Sequence, residues 1–182
     1  MVEKVILAGF GGQGVMSIGQ MLTYAGMMES KQVSWLPSYG PEMRGGTANC
    51  NVIVSDDIVA SPIVTKATAV LALNLPSLDK FEDTVMESGN LIINSSLVER
   101  KTKRDDVHVF YVPANKIADD LGNSRIANMV MLGAYLELTK VVKVDSVLEA
   151  LKKVLGASKE KFIPINREAL ELGAKCIKDA IN

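Results

Sequence analysis

One short stretch limits the folds open to this chain more than any other. Lys4 to Gln20 reads KVILAGFGGQGVMSIGQ. An apolar run is followed by four glycines within the six residues Gly9 to Gly14. Then Val15, Ile18, Leu22 and Ala25 recur at helical spacing. The order is strand, loop, helix, and Gly9, Gly11 and Gly14 satisfy the spacing G-x-G-x-x-G in that context. Each glycine has its own expected task. Gly9 allows the tight turn, Gly11 lets a ligand approach the backbone, and Gly14 lets the helix pack close to the strand. Gly12 and Gln13 add a further backbone amide and a side-chain amide. The first amides of such a helix have no partner within it, and the helix dipole favours a negative charge beside them. The loop therefore predicts an anion site, a contact for a neighbouring protein, or close packing of helix on strand.

The rest of the chain extends the same plan. KQVSWLPS predicts a second strand ended by Pro37, and TANCNVIVS (Thr47 to Ser55) a third, rich in β-branched residues. ATAVLALN and NLIINSS are continuous apolar runs, and DVHVFYVP alternates. The last third turns helical. NSRIANMVMLGAYLELTKVV predicts a long buried helix with Ser124 as cap. DSVLEALKKVL starts at a capping Asp145, and NREALELGAKCIKDAI carries Leu170, Ala174, Ile177 and Ile181 on one stripe behind a capping Asn166. Continuous apolar strands covered by helices predict an α/β fold: a Rossmann-like, three-layer domain with a mostly parallel sheet and a mostly helical C-terminal part. At 182 residues one domain is expected, spanning residues 1–182. In such sheets ligands gather beyond the carboxyl ends of the strands.

Composition excludes several classes. Twenty Lys plus Arg against 21 Asp plus Glu leave a net charge of -1, which makes no electrostatic case for nucleic acid or an anionic membrane. No apolar run approaches the ~18 residues of a membrane span, and Val5 to Phe10 is too short for a signal peptide, so a cytoplasmic location is expected. Cys50 and Cys176 make neither a disulfide framework nor an iron–sulfur site. The single histidine, His108, alternates with apolar neighbours in a strand, and no nucleophile–base pair is visible. No catalytic residue and no metal ligand is expected in this chain.

A second loop, SYGPEMRGGTAN from Ser38 to Asn49, follows the second strand and should lie beside the glycine loop. Pro41 suits a first helical turn, and Gly45 and Gly46 would close it. Arg44 is then held on a rigid hook, suited to a phosphate or carboxylate, or else paired with Glu42 or another acid. Asn74 and Ser95 fall at strand ends near the cleft and are read as loop caps. Asn128, inside a buried helix, is read as bonded to a backbone group. Met16, Met21, Met27 and Met28 are read as core or interface filler.

GFGGQGV, SYGPEMRGGTANCNVIVSDDIVASP, NLIINSSLV and VPANKIADDLGNSRIANMVMLGAYLEL together resemble the gamma subunit of 2-oxoacid:ferredoxin oxidoreductases. The tyrosine in SYGPE is closer to the 2-oxoglutarate branch than to the pyruvate branch. The resemblance implies a subunit of a larger enzyme that oxidatively decarboxylates a 2-oxoacid, passes electrons to ferredoxin and forms an acyl-CoA. It implies alpha, beta and delta partners, the last ferredoxin-like. Thiamine diphosphate and the iron–sulfur clusters would lie in those partners, and coenzyme A at or near this chain. Gly9, Gly11, Gly12, Gln13 and Gly14 would form one lip of the coenzyme A site, and Ser38, Tyr39, Arg44, Gly45 and Gly46 the other.

Two other readings stay open. A free-standing NAD-type oxidoreductase needs an acid at the end of the second strand for the ribose, where this chain has Leu36, Pro37 and Ser38. A purely structural subunit would use the glycine loop only to touch a neighbouring chain.

Overall fold

The computed structural model describes residues 1–38 and 47–182. Strand β1 (Val2–Phe10) leads into helix α1 (Val15–Met28) and returns as β2 (Gln32–Ser38). The chain continues through β3 (Thr47–Ser55), β4 (Ala67–Ala72), α2 (Leu75–Phe81), β5 (Val85–Asn94) and β6 (His108–Val112). Helices α3 (Ala114–Asp120), α4 (Ala127–Thr139), α5 (Val144–Leu155) and α6 (Ile163–Ile181) complete it. The strands form one six-stranded sheet in the order β2-β3-β1-β4-β5-β6. β1, β4, β5 and β6 are mutually parallel, while β3 runs antiparallel to both β1 and β2. The sheet is mostly parallel, as expected, with β3 as its single reversed strand. Because β3 lies between β1 and β2, the second loop joins two antiparallel neighbours and β2 reaches the same sheet edge as β1.

The pleat sorts the core into two layers. Val5 and Leu7 of β1, Cys50 and Val52 of β3 and Leu71 of β4 face the thick layer, built from α1, α3, α4, α5 and α6. Ile6, Val70, Leu91 and Ile93 face the thin layer, where Leu78 of α2 covers them. Helix α4 is apolar all round because it lies between sheet and helix: Asn128 to Leu136 are buried without a break. Helix α6 crosses it at backbone contact. A Cβ on Gly133 would stand 2.1 Å from the carbonyl of Leu170, and one on Gly173 would stand 1.9 Å from that of Val130. The two glycines let the helices interlock reciprocally.

Several boundaries move from their expected places. Pro37 does not end β2 but lies inside it, opposite Cys50. β2 is an edge strand, so a missing N–H disrupts no ladder. Ser124 is not the cap of the long helix. Asn123 accepts from the Arg125 amide, a 3-10 turn spans Ser124–Ile126, and α4 starts after it. Helix α5 starts at Val144, so Asp145 lies in its first turn, where it pairs with Arg167 of α6 at 2.7 Å. Asn166 is not the cap of α6, which begins three residues earlier with Pro164 in its first turn. On the expected α6 stripe Leu170 and Ile177 are buried, whereas Ile181 is 66% exposed at the frayed end. Cys50 is fully buried, which pushes its thiol up to about 12, and Cys176 is half-buried; both are free thiols. His108 opens β6 at the amino edge of the sheet, exposed and far from the glycine loop.

Gly173→Ala places a methyl group against a backbone carbonyl that cannot swing aside. It is expected to destabilise the fold by about 3 kcal/mol in urea denaturation. A stability within about 0.5 kcal/mol of the wild type would show that α4 and α6 are not this close.

Candidate functional site

The turn between β1 and α1 is where the fold leaves its backbone most open. β1 does not stop at Gly9. Gly9 and Phe10 remain in the sheet, opposite Ala48 and Thr47 of β3. The tight turn instead falls on Gly12, with φ 91°, and Gly14, with φ 75°. Both values lie in the left-handed region, where a side chain is strained. The glycine roles read from the motif are thus redistributed. Gly9 is the close-packing position, since a Cβ there would stand 2.8 Å from Gln13 Oε1 and 2.9 Å from Val15 Cγ2. Gly14 also packs closely, against Asn128 of α4: a Cβ would lie 2.3 Å from Asn128 Nδ2. That same Nδ2 donates to the Gly14 carbonyl at 3.2 Å, so Asn128 bonds a backbone group as expected.

Gln13 departs from its expected role. Its carboxamide turns inward and is used within the protein. Oε1 accepts from the Phe10 amide (2.6 Å) and from Asn74 Nδ2 (2.9 Å), and Nε2 donates to the Leu73 carbonyl (3.4 Å). Its own amide N–H donates to the Phe10 carbonyl at 3.2 Å. Gln13 is therefore a clamp that sets the turn, not a donor to a ligand. Asn74 caps α2 by accepting from the Ser77 amide while holding Gln13.

What stays open is the backbone around it. Helix α1 has Gly14 at its N-cap and no side-chain cap, and its first bond runs from Ile18 N–H to the Gly14 carbonyl. The amides of Val15, Met16 and Ser17 thus face outward with the positive end of the helix dipole. A cavity of about 310 Å³ lies against them, bounded by Phe10, Gly11, Gly12 and Ala48. Among the described residues, a Cβ on Gly12 would meet nothing within 4 Å. Ser38 ends β2 at the same sheet edge and is exposed. Tyr39, Arg44, Gly45 and Gly46 lie outside the described residues.

A second, larger cavity of about 560 Å³ lies on the other side of the α1 N-terminus and shares Gly14 and Ser17 with the first. Arg125 and Asn166 line it. Sequence reasoning did not single out Arg125, because it precedes α4 in a turn that no periodicity marks. Among the described residues, no group of three or more His, Cys, Asp or Glu side chains is placed to hold a metal ion, and no helix is long and apolar enough to cross a membrane.

A three-layer α/β sheet whose first crossover presents uncapped helix amides beside a cavity defines a Rossmann-like domain. The chain belongs to the pyruvate ferredoxin/flavodoxin oxidoreductase family, whose profile it matches over residues 4–176. It is 41% identical to the ketoisovalerate oxidoreductase subunit VorA of Methanothermobacter thermautotrophicus, an alignment covering 98% of this chain and 37% of that one. It therefore spans little more than a third of that relative. It is 34% identical to the 2-oxoglutarate synthase subunit KorC of Methanocaldococcus jannaschii, over 83% of this chain and 82% of that one. Among solved structures it resembles the keto/oxoacid ferredoxin oxidoreductase gamma subunit of Geobacter sulfurreducens PCA, with TM-score 0.82, 30% identity, and coverage of 97% and 99% of the two chains. The same fold recurs, at TM-score 0.88 and 22% identity, in 2-oxoglutarate:ferredoxin oxidoreductase from Magnetococcus marinus, a structure with 2-oxoglutarate, coenzyme A and succinyl-CoA bound; the match covers 98% of this chain and 31% of that one.

Gln13→Ala removes the clamp while leaving the sheet intact. Hydrogen exchange at the Phe10 amide is expected to rise at least about tenfold. Unchanged exchange there would mean that the turn is held by something else.

Proposed function

We propose that this chain is the gamma subunit of a 2-oxoacid:ferredoxin oxidoreductase and lends its α1 N-terminus to the binding of coenzyme A. The single observation that carries the reading is the uncapped turn: outward amides at Val15, Met16 and Ser17 beside Gly12, over which no described residue comes within 4 Å of a Cβ. A phosphate of coenzyme A suits that seat, because backbone amides and a helix dipole together favour an anion without needing a lysine. Ser38 ends the neighbouring strand, and Tyr39, Arg44, Gly45 and Gly46 of the following loop would form the opposite lip.

In this reading the chain binds and positions. Neither Cys50 nor His108 takes part in the chemistry: the Cys50 thiol is buried and protonated at neutral pH, and His108 stands at the opposite edge of the sheet from the glycine turn. Thiamine diphosphate and iron–sulfur clusters, held by alpha, beta and delta partners, would supply the decarboxylation and the electron path to ferredoxin. The names carried by relatives fit such an assembly, and they include both a ketoisovalerate and a 2-oxoglutarate enzyme. The proposal accordingly names a 2-oxoacid as substrate and not one acid. Work on a soluble 2-oxoacid with a ferredoxin acceptor suits a cytoplasmic complex.

The test uses the assembled complex and two pairs of variants. Gly12→Ala puts a methyl group at the turn, whereas Gly156→Ala carries comparable strain (φ 80°) elsewhere; among the described residues neither Cβ meets anything within 4 Å. Gly12→Ala is expected to raise KM for coenzyme A about tenfold with KM for the 2-oxoacid unchanged, and Gly156→Ala to change neither. Arg44→Ala is expected to act as Gly12→Ala does, with Lys31→Ala, whose partner Asp56 lies at the far end of the sheet, as its neutral control. Equal coenzyme A dependence in all four variants would reduce the chain to a spacer between working parts.

A further inference from the structure

On the thin side of the sheet the irregular segment 56–66 runs from β3 to β4 across the amino end of β1. Its apolar residues are sorted in an unexpected way. Val64 is buried, and Val59 packs with it on the layer that holds Ile6 and Ile53. Each valine has a larger apolar neighbour in sequence that points away: Ile58 is 88% exposed and Ile63 62%. Isoleucine has more to gain from burial than valine, so packing within this chain alone would select the reverse. The segment is also held in shape. The Asp57 amide donates to Ser55 Oγ at 2.9 Å, and the Ile63 amide to Ser61 Oγ at 3.2 Å.

A cavity of about 290 Å³ opens between this segment and the strands, lined by Ile58, Ile63, Ile53 and the exposed Val2. Lys4 and Asp57 line it too, and neither has an ion-pair partner among the described residues. Single exposed apolar side chains are ordinary on a protein surface. Three of them around one cavity, flanked by two unpaired charges of opposite sign, form a patch suited to a protein surface.

The relatives point to the occupant. The match covers 99% of the Geobacter gamma subunit, but only 37% of VorA and 31% of the Magnetococcus chain. The module therefore occurs both as a chain of its own and as part of a chain about three times as long. Where no covalent link holds the two bodies together, an apolar surface has to do so. We infer that the face around Ile58 and Ile63 docks the partner polypeptide that corresponds to the remainder of those longer chains. An apolar side chain of the partner fills the cavity, with a carboxylate toward Lys4 and a cation toward Asp57. The inference rests on the reading of this chain as an oxidoreductase subunit and adds the surface that holds it there. That surface lies at the amino end of β1, opposite the glycine turn, so docking and ligand seat occupy different ends of the sheet.

The experiment assembles the complex from full-length wild-type and variant chains and reads composition by native mass spectrometry and affinity by titration. Ile58→Asp and Ile63→Asp are each expected to weaken assembly at least about tenfold. Thermal unfolding of the variant chains alone is expected to match the wild type, because both side chains already stand in water. Ile181→Asp, comparably exposed at the end of α6, is expected to assemble as the wild type does. Unchanged affinity in both variants, or an equal loss in Ile181→Asp, would overturn the docking face and leave the chain a subunit held elsewhere. A chain that dimerises alone and loses the dimer in Ile58→Asp would assign the face to a second copy and overturn the inference as well. A wild-type chain that assembles with no other polypeptide would remove the subunit reading, and this inference with it.

Discussion

The carboxyl edge of this sheet is held by side-chain amides, and the open turn depends on them. Gln13, Asn74 and Asn94 meet around one backbone group, the carbonyl of Leu73, which accepts from Gln13 Nε2 and from Asn94 Nδ2 at 3.1 Å. The Leu73 amide in turn donates to Ala8 of β1 at 2.9 Å. Asn94 reaches onward, donating to Asn115 Oδ1 and accepting from the Ala114 amide, and so ties the ends of β4 and β5 to the start of α3. Carboxamides suit this task because each both donates and accepts and none carries a charge that burial would penalise. With the network in place, Gly11, Gly12 and Gly14 can stand in a turn without collapsing onto the helix. Without it, the entropy of so flexible a loop favours many conformations, few of which present the α1 amides together.

That arrangement explains why the sequence showed the motif but misassigned its parts. The run KVILAG and the spacing of Val15, Ile18, Leu22 and Ala25 reveal strand and helix because burial imposes period two and period 3.6 on apolar residues. The identity of the tight position is not periodic. It depends on where the last β-bridge forms, and β3 pairs with β1 as far as Phe10, which pushes the turn to Gly12 and Gly14. Gln13 looks like a free donor in sequence; its inward bonds come from Asn74 and Leu73, sixty residues further on. The reversed direction of β3 was equally hidden, because an antiparallel strand buried on both faces carries the same continuous apolar pattern as a parallel one. Arg125 follows the expected cap Ser124 and Asn166 is itself read as a cap, but no spacing in the sequence brings the two together; α4 and α6 meet at Gly133 and Gly173, and both residues line one cavity.

The helix end thus faces two cavities that differ in kind. The smaller is lined by the glycine turn, the first turn of α1 and Ala48. The larger is lined by side chains, among them Arg125, Met21, Met129 and Phe162. Among the described residues, neither cavity is lined by an Asp, Glu, His, Cys, Lys or Tyr side chain. Helix α4 joins the two, since Asn128 fastens the Gly14 carbonyl from one side while Met129 lines the larger cavity from the next residue.

The most direct measurement is amide hydrogen exchange across residues 11–18 in the assembled complex, with and without coenzyme A. Slower exchange confined to the amides of Gly12 and Gly14 to Ser17, and lost when pantetheine replaces the full cofactor, is what an anion seat at this helix end requires. Exchange at those amides that stays the same while coenzyme A saturates the enzyme would show that the phosphates are bound by another subunit.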